Sequence, residues 1–104
     1  MSLGRVIRER RKELGMSQKQ LAEKLLKEDG EPISPQYLND IELERRAAPE
    51  YILDQLSRIL RLPRDHLYLL AGQFPPDVRP KTYDAPRFQR AFQAFRKAWK
   101  KRDG

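Results

Sequence analysis

The chain has 104 residues, with 22 lysine and arginine residues against 15 aspartate and glutamate residues, and its net charge is +7. A chain of this length suits one ordinary domain, and the positive balance favours a polyanionic partner such as nucleic acid or an anionic membrane surface. Because it has no cysteine and its one histidine is His66, a disulfide framework, a thiol nucleophile and an all-histidine metal site are excluded. We therefore predict no cofactor and no metal.

Hydrophobicity and charge distribution bear on localisation and organisation. No apolar run approaches the roughly 20 residues that a membrane span requires, so we expect a soluble, cytoplasmic protein. The charge is concentrated at one end, because residues 87–104 carry a net charge of +6 and residues 1–86 carry +1. Any binding surface in the first part must therefore be a local cluster, whereas the second part is a polycation in its own right.

The first two predicted elements are helices. Apolar residues in the first 86 positions recur at helical spacing without strict alternation, which predicts an all-α fold. The expected buried face of helix 1 consists of Leu3, Val6, Ile7 and Leu14. Gly15 ends helix 1, and Ser17 and Gln20 form a capping box that begins helix 2. The expected buried face of helix 2 consists of Leu21, Ala22, Leu25 and Leu26.

Three more helices follow. Ser34 is predicted to cap helix 3, with Pro35 at its first position. Helix 5 begins near Pro63 and ends at Gly72. The residues expected to point inward from helices 3, 4 and 5 are Leu38, Ile41, Ile52, Leu53, Leu56, Ile59, Leu60, Leu67 and Leu70.

The sequence after Gly72 changes character. Pro75, Pro76 and Pro80 interrupt residues 73–85, which are predicted to form a semi-rigid extended linker. From Pro86 a basic amphipathic helix is expected to run to the end of the chain. The predicted organisation is a domain over residues 1–72, a linker over 73–85 and a C-terminal helix over 86–104.

Helices 2 and 3 suit a helix-turn-helix, in which the second helix lies in the major groove of DNA. The segments Ile7 to Ala22 and Ile33 to Glu42 resemble the Cro and phage-repressor type of helix-turn-helix, often called XRE. Further matches are Arg45, Arg46, Pro49 and residues 67–72. The resemblance covers about residues 3–75. It implies a five-helix repressor-like bundle that binds double-stranded DNA, in a prokaryotic or phage protein associated with the nucleoid.

The resemblance assigns base-contacting positions on helix 3 to Pro35, Gln36 and Asp40. The Gln36 amide suits bidentate pairing with adenine, worth roughly 1–3 kcal/mol of discrimination. Asp40 can accept from cytosine N4, and Pro35 offers an apolar contact to a thymine methyl group. The expected phosphate-binding or supporting residues are Gln18, Lys19, Ser34, Tyr37, Asn39, Arg45 and Arg46. The alternative for Gln18 and Tyr37 is structural, as a capping residue and a half-buried packing residue.

Two other features follow from the same comparison. Arg11 and Glu42 match a family pair that forms a buried salt bridge between helices 1 and 3. Residues 26–32 stand where the family pattern usually has a single glycine. We expect helix 2 to run to about Glu28 and a tolerated surface loop to follow. Acidic residues in this insertion would repel phosphate unless the loop points away, and the alternative is a loss of DNA binding.

The predicted C-terminal helix must bury its aromatic side chains, which are Phe88, Phe92, Phe95 and Trp99. We favour a homodimer contact over packing on the chain's own bundle, and we rank membrane binding third. Its basic face is an additional candidate for binding DNA phosphates.

The predicted function is that of a sequence-specific transcription regulator, most simply a dimeric repressor. The alternative is a protein-interaction module, such as an antitoxin or adaptor, that uses the C-terminal helix. Because no nucleophile, base and orienting partner are arranged by the sequence, we predict that the protein is not an enzyme.

Overall fold

The computed structural model describes residues 2–79 and 84–103, with side chains described as far as Lys100. This part of the chain is helical and contains no β-strand, which confirms the predicted all-α fold. The α-helices are α1 (Leu3–Glu13), α2 (Gln18–Lys24), α3 (Pro35–Glu42), α4 (Glu50–Leu60), α5 (Arg64–Leu70) and α6 (Ala85–Asp103). A short 3-10 helix spans Pro76–Val78. None of the helices in the described ranges is long and apolar enough to span a membrane.

One hydrophobic core is shared by all five helices from α1 to α5. Its fully buried members include Ile7, Leu21, Leu25, Leu38, Ile41, Ile52, Leu53, Leu56, Leu60, Leu67 and Tyr68. Two residues that were expected to be buried are exposed instead. Leu14 lies at the C-cap of α1, and Leu26 lies beyond the end of α2, so neither follows the helical face that the sequence suggested.

The predicted starts of α2 and α3 are confirmed. The Gln20 N–H donates to the Ser17 hydroxyl at 3.0 Å, and the Gln20 side chain accepts from the Ser17 N–H at 2.8 Å. The Ser34 hydroxyl likewise accepts from the Tyr37 N–H at 3.0 Å. These bonds satisfy N–H groups that a helix leaves unpaired in its first turn. Gly15, with φ of 72°, supplies the left-handed residue after α1.

The expectation that helix 2 runs to Glu28 is wrong. It ends at Lys24, and Leu25 is extended with φ of −102° and ψ of 119°. Gln55 of α4 explains the end, because its side chain accepts from the Leu26 N–H at 2.8 Å and donates to the Leu26 carbonyl at 2.9 Å. Both backbone groups of Leu26 are thereby taken from the helix. Leu26 then pairs with Pro32 in an isolated antiparallel bridge, which makes residues 26–32 a short hairpin.

Gly4 lets α1 approach the end of α3 closely. A Cβ atom at this position would collide with the carbonyl oxygen of Glu42 and would lie 2.7 Å from that of Ile41. The Gly4 N–H donates to the Glu44 carboxylate at 2.6 Å, just beyond α3. Glu44 itself has a φ of 62°, in the left-handed region. The position of α3 is therefore determined partly by backbone contact with α1.

The segment that follows α5 differs from the extended linker predicted for it. Pro75 is buried, and residues Pro76–Val78 form the 3-10 helix. Arg79 forms an ion pair with Glu50 at the start of α4 and donates to the Phe74 carbonyl at 2.9 Å. These contacts hold residues 75–79 against α4. The linker residues Pro80 to Tyr83 lie outside the described residues.

Candidate nucleic-acid interface

The outward face of α3 is built by the helix-turn-helix packing. Leu38 and Ile41 of α3 are buried, and so are Leu21 and Ala22 of α2. The opposite face of α3 is therefore turned to solvent. Pro35 and Gln36 are exposed on that face, and Asn39 and Asp40 are partly exposed. The three residues that were expected to contact bases therefore share one surface.

Gln36 and Asp40 are bonded to each other. The Gln36 side-chain nitrogen donates to an Asp40 carboxylate oxygen at 2.9 Å, across one helical turn. An amide group has two N–H donors and one carbonyl acceptor. One donor and the acceptor therefore remain, and these are the two groups that adenine recognition requires. The carboxylate of Asp40 likewise keeps acceptor capacity for cytosine N4.

Arg11 and Glu42 form a bidentate ion pair between α1 and α3. The Arg11 Nε and Nη2 atoms donate to the two Glu42 carboxylate oxygens at 2.8 and 3.0 Å, and the side chains are 8% and 1% exposed. Arg11 also donates to the Met16 carbonyl at 2.9 Å. No buried side-chain nitrogen or oxygen in the described residues lacks a hydrogen-bond partner. The buried charges are therefore compensated, as burial demands.

Gln18 completes this network from α2. Its amide nitrogen donates to the Asn39 side-chain oxygen at 3.0 Å and to Glu42 at 3.1 Å. The Gln18 amide nitrogen is thus engaged within the protein, and the phosphate contact expected of this side chain stays a prediction that requires one of these bonds to be exchanged. The sequence suggested capping as the alternative role. Gln18 instead braces α2 against α3, which is a different structural role.

Exposed positive side chains occur before and after α3 in the chain. Lys19 is exposed in the first turn of α2, and Arg45 and Arg46 are exposed just after α3. The backbone N–H groups of Arg45 and Arg46 both donate to the Asp40 carbonyl, at 2.8 and 3.2 Å. The guanidinium carbon of Arg46 lies 4.2 Å from the centre of the Tyr37 ring. Half-buried Tyr37 therefore holds one cation near α3 through a cation–π contact.

The acidic hairpin lies beside the first turn of α4. Partial burial raises the pKa of Tyr51, and the neighbouring Tyr37, Glu28 and Asp29 raise it further. Gln55 anchors the base of the hairpin to α4 through both backbone groups of Leu26.

The aromatic side chains of α6 form one continuous stripe. Successive ring centres of Phe88, Phe92, Phe95 and Trp99 are 5.6, 5.9 and 6.2 Å apart. Phe88 meets Phe74 edge to face at 6.3 Å, which joins the start of the stripe to the chain after α5. Beyond that contact the side chains are open to solvent, because Phe95 is 54% and Trp99 is 63% exposed.

Sequence reasoning missed several residues that support the site. Gly4 and Gln55 are two of them. Gly4 could have been found from the sequence, because a glycine inside a helix is unfavourable unless close packing requires it. A third is Asp54, which accepts from Arg64 and from the Tyr68 hydroxyl, each at 2.9 Å. Burial by itself raises the pKa of Asp54, but these hydrogen bonds outweigh it and the pKa is lowered from 3.8. This cluster joins α4 to α5.

Comparison with known proteins gives one match. A family model described as helix-turn-helix matches residues 7–67, which run from within α1 to within α5 and make up more than half of the chain. Searches of the curated proteins and of the solved structures gave no significant match.

Proposed function

The chain belongs to the helix-turn-helix family of the Cro and phage-repressor (XRE) type, which comprises DNA-binding regulators, and from this premise we propose that it is a sequence-specific dimeric repressor. In this proposal α3 enters the major groove of double-stranded DNA, and two copies bind two half-sites. Such half-sites lie about one helical turn apart, roughly 10 base pairs, or a multiple of that distance.

The observation that carries this proposal is the outward face of α3. Gln36 and Asp40 lie there side by side, joined by a bond of 2.9 Å that leaves recognition groups free on both. We assign Gln36 to adenine and Asp40 to cytosine, with Pro35 providing an apolar contact at the helix start. The network of Arg11, Gln18 and Glu42 supports the assignment, because it holds α3 rigidly against α1 and α2.

Phosphate contacts are assigned to the flanking cations. Lys19 lies in the first turn of α2, and Arg45 and Arg46 follow α3; all three are exposed, and we assign them to the DNA backbone. The Ser34 hydroxyl is a further donor, since capping uses only its oxygen as an acceptor. Tyr37 and Asn39 are assigned supporting roles through Arg46 and Gln18.

The dimer is assigned to the aromatic stripe of α6. Phe92, Phe95 and Trp99 are more than a third exposed in one chain, and water contact of so much aromatic surface is unfavourable. A second copy would cover both stripes at once, as twofold symmetry requires. Repression follows from occupancy, because a bound dimer covers DNA that the transcription machinery needs.

Selection of bound sites from random duplex DNA tests the proposal. The full chain is incubated with the library, and the retained duplexes are sequenced over successive rounds. Enrichment of an inverted repeat with half-sites one helical turn apart, or a multiple, is the expected result. A library that stays random would overturn the proposal of sequence specificity.

The exposed stripe also favours a second candidate function, that of an antitoxin-like or adaptor-like module that binds a partner protein through α6. The two functions differ in the residues they need. Gln36→Ala should alter DNA recognition if the chain is a regulator, whereas an adaptor would be insensitive to Gln36→Ala and sensitive to Trp99→Ser.

A further inference from the structure

A second charged surface lies on α6, away from the helix-turn-helix. Its described cations are Arg87, Arg90, Arg96, Lys97 and Lys100. They extend over about 20 Å at the rise of an α-helix. No acidic residue occurs between Ala85 and Lys100. Because Arg90 and Lys97 fall opposite the aromatic stripe on a helical projection, α6 has one aromatic face and one basic face.

These cations have no acidic partners within residues 2–79 and 84–100. The ion pairs found there involve cations that precede α6, namely Arg5, Arg10, Arg11, Arg64 and Arg79. Arg96 turns toward the stripe, where its guanidinium lies 5.6 Å from the centre of the Phe92 ring. The remaining cations face solvent, so the basic face is an uncompensated positive surface. Such a surface attracts a polyanion over the range of the Debye length.

We propose that the basic face of α6 is a second DNA-binding surface, which holds the phosphate backbone beside the site read by α3. This inference rests on the proposed dimeric regulator. When the aromatic stripes of two copies are paired, both basic faces remain outward and open to a polyanion. Duplex DNA, with one negative charge per roughly 1.7 Å of axis, offers about a dozen charges over the same length and can therefore neutralise all five cations.

An anionic membrane is the competing occupant, and the dimer argues against it. A basic amphipathic helix lies on a membrane by burying its apolar face in the lipid while its cations reach the headgroups. Phe95 and Trp99 would have to enter the lipid, which removes them from the dimer contact. Phosphate binding on DNA needs the basic face alone, so it is compatible with a covered stripe.

The test compares two variants that each remove three positive charges. Arg90→Gln, Lys97→Gln and Lys100→Gln neutralise the basic face and preserve helix-forming residues. The matched control carries Arg8→Gln, Lys12→Gln and Arg58→Gln, at exposed helix positions without ion pairs. Binding of each full-length protein to the selected site and to a scrambled duplex is measured against salt concentration. Sedimentation and thermal melting verify that each variant stays folded and dimeric.

The basic-face variant should bind both duplexes more weakly by the same factor. The slope of log affinity against log salt should fall by about 0.9 for each lost phosphate contact, or up to about 2.7 for three. The ratio of affinities for the selected and scrambled duplexes should not change, since phosphate contacts are independent of sequence. The control variant should keep the wild-type slope.

A slope that is the same in the basic-face variant and the wild type would overturn the inference. If the slope is unchanged and the basic-face variant also loses binding to vesicles of phosphatidylcholine and phosphatidylserine, the surface is assigned to the membrane instead. The proposed function fails by a different result, namely equal wild-type affinity for selected and scrambled duplexes. In that case the slopes on the scrambled duplex still decide whether α6 binds DNA.

Discussion

The Gln36 side chain donates to the Asp40 carboxylate at 2.9 Å across one turn of α3, so the two residues proposed to read neighbouring bases also orient each other. This bond restricts the Gln36 amide before DNA arrives, which lowers the entropy that binding must overcome. The orientation of one base-reading side chain is thus coupled to the presence of the other.

Replacement of Asp40 should therefore affect recognition at more than one base pair. Asp40→Ala is expected to relax preference at its own position by about 1–3 kcal/mol and to weaken the preference read by Gln36. A double-mutant cycle with Gln36→Ala, measured as affinity for single-base variants of the selected site, should be non-additive. Strictly additive effects would mean that the two side chains read bases independently.

The Arg11–Glu42 pair should contribute strongly to stability because both side chains are buried. Glu42→Ala leaves the Arg11 charge buried without its partner and is expected to cost about 3–5 kcal/mol in urea unfolding. Glu9→Ala provides the matched control, since the Arg5–Glu9 pair is exposed and is expected to contribute about 0.5 kcal/mol or less. Similar losses in the two variants would contradict a buried, compensated pair.

Gly4→Ala provides a test in which two physical effects have opposite signs. Alanine normally stabilises a helix relative to glycine by roughly 0.5–1 kcal/mol. At Gly4, however, the new methyl group collides with the Glu42 carbonyl, so we expect a net loss of about 1–3 kcal/mol in the free energy of unfolding. A variant at least as stable as the wild type would show that α1 and α3 are not in backbone contact.

The Asp54 cluster predicts a pH dependence in acid. Its pKa lies below the ordinary value of 3.8 in the folded chain, so the unfolded chain binds more protons near that pH. The stabilisation is fully present above the ordinary pKa and is lost as pH falls through the folded pKa. Wild type and Asp54→Asn should therefore differ in stability at about pH 6 and converge as the pH falls through the folded pKa of Asp54. A difference that stays constant throughout acid titration would refute this account.

Association through α6 should respond to the stripe and to salt. Trp99→Ser is expected to weaken the dimer, whereas Gln93→Ser, an exposed change elsewhere on α6, should not. Without DNA, added salt should strengthen the dimer, because it screens repulsion between two chains that each carry a net charge of +7. Sedimentation equilibrium measures both effects. Equal dimerisation by the two variants would remove the stripe from the interface.

Local sequence signals predicted the helix starts well, and tertiary contacts explain where prediction failed. Ser17, Gln20 and Ser34 act on N–H groups within three residues, so their spacing alone identifies the caps. The early end of α2 depends on Gln55, which lies 29 residues away in the chain. The hydrogen bonds of Gln18 also depend on residues far away in the chain, because its amide donates to Asn39 and Glu42 on α3. No local pattern encodes such partners.

The central claim is that α3 reads base pairs through Gln36. It is tested by measuring the affinities of wild type and Gln36→Ala for the selected site and for every single-base-pair variant of it. We predict that Gln36→Ala loses roughly 1–3 kcal/mol of discrimination at one position in each half-site and keeps its preferences elsewhere. Identical discrimination profiles for the two proteins would contradict base reading by α3.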